Sequence, residues 1–409
     1  QAQASKDDVS RIFPHSAIAA DLHGNGKTDL IVVDDRANVS PIYLNQGQNK
    51  FELGRNIGIG LKDYGMGADI GDLNGDGYFD VVLSSVNFNS SKRIKTSCSL
   101  NWSLDHSVSA GVSGLRAFQG GKNQKFSERT EELGLGYIGD GAGGVKIFDY
   151  NNDGHEDIYV SMGLWSGNSD DKSYRLDSYF TVASTLGLLD DDVKSGIREK
   201  VTYGKAEANS EFASLLFRSD SQSLIMDILS YHREGKNSMS LAGHQRNRLF
   251  HNNGDGTFTE VGFVAGVDSI ADGYMPAIAD LNRDGKLDLI LRNADPGYAK
   301  DQFSPVEIYK NQAGSTNAVT IKLKGIDSNP DGVGAILDAR IEDKKLRRQM
   351  IGSSGTVQSE RIIHFGLNGK DKIDELSIRW PSGVRQVLRN MPMGYHVISE
   401  MPLSKYTKK

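Results

Sequence analysis

The sequence predicts an all-β protein: a ring of repeated four-stranded blades carrying a helical insertion, followed by a small C-terminal β-sandwich or barrel. Three observations carry this expectation. A nine-residue acidic loop recurs four times and runs each time into an apolar strand. A longer strand–turn–strand unit repeats around those loops. After Gly314 the pattern changes to short strands of alternating polarity.

The four loops span 21–29, 72–80, 149–157 and 280–288. Their positions 1, 3, 5 and 9 are Asp21, His23, Asn25 and Asp29; Asp72, Asn74, Asp76 and Asp80; Asp149, Asn151, Asp153 and Asp157; and Asp280, Asn282, Asp284 and Asp288. Position 6 is glycine in every copy. Alternate residues turned inward, a glycine at the sharp turn and a backbone carbonyl at position 7 are what a short loop needs to wrap a hard cation. Calcium accepts about six to eight oxygens in loose geometry, whereas magnesium demands a stricter octahedron. Three or four structural Ca2+ ions are therefore expected. The first loop is the weakest, because His23 is a poor calcium ligand and only Asp21 and Asp29 carry charge.

An EF-hand is excluded. It needs a bidentate Glu at position 12 and flanking helices, but position 12 here is Val32, Leu83, Val160 or Leu291, within strand-like runs. Asp, Asn and Gly also mark ordinary turns, yet four copies of one spacing with the same strand after each argue against that reading.

Around the loops, Ile42–Phe51, Leu115–Phe126 and Leu249–Phe258 read as strand, Asn/Gly turn and strand, and Ile308–Gln312 closes the series. With the loop and its strands this makes about four strands in roughly 45–50 residues, the scale of a propeller blade. The first two loops lie 51 residues apart, one blade; the later gaps of 77 and 131 require insertions or degenerate blades. Residues 165–246 read as a helical insertion, with helical spacing at Asp177–Leu188, Asp190–Val201 and Ser221–His232. Residues 87–113 read as a shorter excursion. The expected organisation is a propeller over 1–314, a β domain over 315–403 and a solvated tail over 404–409.

Of the 409 residues 46 are glycine, and no apolar run approaches a membrane span, so a soluble chain is expected. The lone Cys98 excludes an internal disulfide framework. The start Gln1-Ala-Gln-Ala, with no methionine or apolar leader, predicts a processed chain. Calcium loops of moderate charge favour a secreted, extracellular or periplasmic location. Three Asn-x-Ser sequons, at Asn38, Asn89 and Asn101, are explained by chance. The net charge of −6 divides into about −12 over 1–314 and about +6 beyond. Bound calcium would neutralise the acidic part, so that charge does not argue for a basic partner.

The loops with their strands resemble FG-GAP/VCBS repeats, the calcium-binding blades of integrin-α-type propellers. The C-terminal part resembles the ASPIC/UnbV domain through Ser328–Ala335, His364-Phe-Gly-Leu367 and Trp380-Pro-Ser-Gly383. The pairing is similar to that of the cartilage acidic protein family and its bacterial relatives. The resemblance implies a seven-bladed ring (six being the alternative), an extracellular location, and roles in adhesion, matrix or biosynthetic assembly.

Other motifs weigh less. Asp327–Gly332 copies the first six loop positions but has Ala335 at the ninth, which favours a turn over a fifth site. The basic run Lys344-Lys-Leu-Arg-Arg348 suits an acidic glycan, an anionic lipid head group or an acidic propeller face; a solvated hairpin edge is the simpler reading. The chain's acidity and the lack of interleaved aromatics argue against nucleic acid. No histidine sits in a catalytic motif, and neither a phosphate loop nor zinc spacing occurs. A non-enzymatic binding, adhesion or assembly module for a protein or glycan is therefore expected. The alternative is an enzyme, a polysaccharide lyase or hydrolase or a biosynthetic accessory, acting in the channel or under the insertion.

Overall fold

The computed structural model describes residues 14–34, 40–59, 65–85, 114–122, 125–136, 138, 141–163, 245–293, 305–352 and 358–403. Four antiparallel sheets come first. They comprise β1 (Pro14–Ala20), β2 (Asp29–Asp34), β3 (Ile42–Gly47) and β4 (Lys50–Leu53); β5 (Gly65–Gly71), β6 (Asp80–Ser85), β7 (Leu115–Gln119) and β8 (Ser127–Glu128); β9 (Ala142–Phe148), β10 (Asp157–Met162), β11 (Arg248–Asn252) and β12 (Phe258–Glu260); and β13 (Gly273–Ala279), β14 (Asp288–Asn293) and β15 (Val306–Tyr309). A four-residue helix, α1 (Gly262–Ala265), follows β12.

In each sheet an acidic loop joins the first strand to the second, and the apolar runs expected after the loops are β2, β6, β10 and β14. β6 and β10 are buried along their whole length, which suits Val-, Ile- and Leu-rich strands covered on both faces. The first strands β1, β5, β9 and β13 stand side by side. β9 reaches β13 only because it carries glycine: a Cβ at Gly143 would lie 2.7 Å from the Gly273 carbonyl, and one at Gly144 2.6 Å from Pro276 Cδ. His15 Nδ1–H donates to the Met66 carbonyl (2.8 Å), leaving Nε2 to accept the Tyr274 hydroxyl (2.6 Å). The first sheet thus touches both the second and the fourth.

Six or seven blades are not reached among the described residues. The long gaps between loops fall inside sheets: β6 pairs with β7 across 86–113, and β10 pairs with β11 across 164–244. The helices expected in the insertion, the excursion at 87–113, Cys98, the three sequons and the tail lie outside the described residues.

Seven further strands form two packed sheets. β16 (Ala318–Lys324) lies between β19 (Ile363–Gly366) and β22 (Gly394–Ser399), and the second sheet runs β18 (Lys344–Gln349), β17 (Ile336–Ile341), β20 (Lys372–Arg379) and β21 (Arg385–Pro392). Leu323, Leu337, Phe365, Ile378 and Trp380 fill the space between them. The Trp380 indole lies in the core, its N–H donating to Gln386 Oε1 at 3.2 Å.

Glu400 fastens one end of this pair. Its Oε2 accepts three consecutive backbone N–H groups, Ile326 (2.7 Å), Asp327 (2.8 Å) and Ser328 (2.7 Å), while Oε1 accepts the Ser328 and Ser382 hydroxyls. Burial raises this carboxyl, but those donors outweigh it and hold it down at about 2. A depressed carboxylate contributes stability above its unfolded value near 4.5 and loses it as pH falls toward 2. Glu400→Gln is expected to cost about 2 kcal/mol at pH 7, the difference closing below pH 4, as read by urea denaturation.

Candidate metal loops beneath the C-terminal sheets

All four acidic loops have the same backbone. Position 4 lies at φ between +57° and +70° (Gly24, Gly75, Asn152, Arg283), and the position-6 glycines lie between +83° and +87°. That is the left-handed region, which glycine enters freely.

The hydrogen bonds repeat as well. The position-1 carboxylate accepts the N–H of position 6: Asp21 from Gly26 (2.7 Å), Asp72 from Gly77 (3.1 Å), Asp149 from Gly154 (2.8 Å) and Asp280 from Gly285 (3.0 Å). Position 5 accepts from position 7 through Asn25, Asp76, Asp153 and Asp284 at 2.7–3.0 Å. Asn74, Asn151 and Asn282 each donate to the position-5 carboxylate at 2.9–3.0 Å. His23 departs from this pattern and turns to Asp29, 2.9 Å away.

Position 9 is a strut. One oxygen of Asp29, Asp80, Asp157 and Asp288 accepts the N–H of position 2 at 2.9–3.2 Å. The other accepts the N–H of a residue in the third strand or within two residues of its end, at Asn45, Gly120, Asn252 and Asn311, at 2.8–2.9 Å. Each acidic loop is thereby tied into its own sheet.

Among the described residues no three His, Cys, Asp or Glu side chains converge at metal-holding spacing. Two further observations do suit a cation. Asp72 Oδ1 is buried without a hydrogen-bond partner. Burial, with the negative charge of neighbouring loop carboxylates, pushes Asp72 up to about 6 and Asp149 to about 7, and burial raises Asp157 to about 6. Asp280 moves up for the same first reason. The second, third and fourth loops therefore hold clustered negative charge that a divalent ion would relieve.

The C-terminal sheets lie across all four loops. Arg379 donates to Asp21 and to the Gly24 carbonyl in the first. Arg347 donates to the Gly77 carbonyl in the second. In the third, Lys344 donates to the Asp153 carbonyl at 3.1 Å and His364 Nε2 lies 2.7 Å from Asn152 Oδ1. In the fourth, Glu360 Oε2 accepts the Asp280 N–H at 3.3 Å and Arg283 stacks 4.4 Å over the Tyr395 ring.

Of the readings open for Lys344–Arg348, the structure favours the acidic face of the chain's own repeats over a solvated hairpin edge. The run is strand β18, and it faces the chain's own acidic loops. Arg348 is buried and pairs with Glu156 at 3.0 Å; Arg347 holds Asp338 and Gly77; Lys344 sits 2.9 Å from His155 Nε2; only Lys345 is exposed. The acidic partner is internal. Asp331, in the partial fifth copy, pairs with Arg361, which suits a turn.

Two junction residues escaped the sequence reading. Glu156, buried, accepts the Asp72 N–H at 2.8 Å and is pushed up to about 7 by burial, against the pull of Arg348. Its signal was position 8, which is Thr28, Phe79 or Leu287 in the other copies. His364 is buried and driven down to about 3 by burial and Arg348, so it is a neutral hydrogen-bonding strut. A cavity of about 100 Å³ lies between the first strands and the C-terminal sheets that cap the loops, lined among others by Asp69, Lys146, Glu156, Arg348 and His364.

Residues 21–83 and 226–291 match the FG-GAP-like repeat, and 325–400 match ASPIC and UnbV. Cartilage acidic protein 1 of Homo sapiens is 52% identical over 164 residues, 39% of this chain and 24% of that protein; the Xenopus tropicalis protein is 48% identical over 109 residues, 26% and 16%. The matched stretches thus span a quarter or less of those relatives. An Agrocybe aegerita lectin that recognises non-reducing terminal N-acetylglucosamine aligns over 94% of this chain and 83% of its own, at 13% identity and TM-score 0.30. The V. cholerae biofilm matrix protein Bap1 aligns over 95% and 61%, at 12% and 0.29. The chain carries FG-GAP-like repeats followed by an ASPIC and UnbV domain, the pairing found in cartilage acidic protein 1.

Proposed function

We propose that this chain is an extracellular calcium-loaded propeller that acts as a non-enzymatic binding or adhesion module for a protein or glycan. The carrying observation is the backbone and hydrogen-bond pattern shared by the acidic loops, with Asp72 and Asp149 pushed upward by burial and neighbouring carboxylates in the second and third. Side chains at positions 1, 3 and 5, the position-7 carbonyl and the position-9 strut supply the oxygens. Bound calcium neutralises the loop and couples metal loading to folding. The closed ring is supported by the contact of the first and fourth sheets through His15 and Tyr274.

The location rests on the relatives' pairing of domains and on calcium loops of moderate charge; no described helix is long and apolar enough to cross a membrane.

Asp76→Ala, Asp153→Ala and Asp284→Ala are each expected to remove one calcium ion per chain and lower the melting temperature, with Asp331→Ala removing none. Calcium titration checks this, and unchanged counts in the first three would refute the assignment.

A further inference from the structure

We infer that Arg379 is the resident cation of the first acidic loop, so that this loop docks the C-terminal domain without a metal ion. This rests on the calcium reading only for the contrast with the other three loops.

Arg379 ends β20, and its guanidinium grips the loop at two points. Nη2 lies 2.6 Å from Asp21 Oδ2 and Nη1 lies 3.1 Å from the Gly24 carbonyl. A Cβ added to Gly26 would lie 3.4 Å from Nη1, so the guanidinium rests over the turn itself. The Asp21 side chain is 3% exposed and that of Arg379 25%, which shields the pair from solvent. Asp72, Asp149 and Asp280, the same position in the other loops, make no ion pair among the described residues.

The rest of the loop agrees. Position 3 is His23, an imidazole that faces Asp29, and hard cations prefer oxygen. Position 5 is the neutral Asn25, so positions 1, 3, 5 and 9 carry two carboxylates where those of each other loop carry three. A divalent ion placed beside Asp21 would be repelled by the guanidinium at close range. Arginine is suited to the post, being always charged and able to span a carboxylate and a carbonyl with one planar fork.

The test is a double-mutant cycle of Asp21→Asn and Arg379→Gln in excess chelator, joined to a calcium titration of Asp21→Asn. Each single variant is expected to lower the urea midpoint by about 0.5 M, and the double variant no further than the worse single. Asp21→Asn is expected to keep the parent's ion count, whereas Asp76→Ala loses one. Additive single effects, or an ion count that falls on Asp21→Asn, would overturn the inference. If the parent binds no calcium, the reading of the other loops fails while the chelator cycle still decides the role of Arg379.

Discussion

Arg348→Ala is expected to cost about 3–5 kcal/mol, because it leaves a buried carboxylate without its partner. Glu156 is 6% exposed and Arg348 8%. The guanidinium reaches Glu156 at 3.0 Å, donates to the Arg347 carbonyl at 2.9 Å and lies 5.7 Å over the Phe365 ring. Glu156 in turn holds the Asp72 N–H, so one side chain links the second loop, the third loop and the cap. Burial already lifts Glu156 to about 7 with Arg348 in place. Without the arginine its folded value rises further, so the variant binds more protons than its unfolded chain and loses stability as pH rises through neutrality. Arg348→Met with Glu156→Gln is expected to recover much of the loss, since removing both charges removes the desolvation penalty. Urea denaturation at pH 6 and 8 measures both effects; a single variant as stable as its parent would refute the latch.

Stripping calcium is expected to lower the melting temperature by about 10 °C or more. One ion at a thousand times its Kd stabilises the folded state by about 4 kcal/mol, and the proposed reading loads three loops. The pH dependence has a definite sign. Asp72, Asp149 and Asp157 have folded values of about 6, 7 and 6, raised from 3.8, so the metal-free folded state binds more protons than the unfolded chain between those limits. Metal-free stability therefore rises as pH falls from about 7 toward 4. On the proposed reading calcium binds the charged carboxylates, so its stabilising effect is expected to grow from pH 5 to pH 8. Melting curves across that range, with calcium and with chelator, should diverge upward; parallel curves would contradict the account.

The strands β2, β6, β10 and β14 were legible because each is an apolar run fixed in place by the loop before it. The loops were legible through their spacing; that Asp29, Asp80, Asp157 and Asp288 brace each loop against its own sheet was not, because their N–H partners lie outside the nine-residue repeat. What was hidden is tertiary. Lys344–Arg348 reads as a solvated edge because charge usually seeks water, yet β18 lies against acidic loops that supply the counter-charge. Arg379 ends an alternating strand with nothing local to mark it, and its partner Asp21 is 358 residues away. His364 and Asn152, 212 residues apart, meet in the same way. Local patterning reports which face of a strand is buried, and is silent on what buries it.

The most direct test of the central claim is a calcium titration of chelator-stripped protein that counts bound ions while following the melting temperature. The account predicts three ions per chain and a melting temperature that climbs with occupancy. A flat titration with an unmoved melting temperature would contradict it, leaving the four loops as hydrogen-bonded turns under a basic cap.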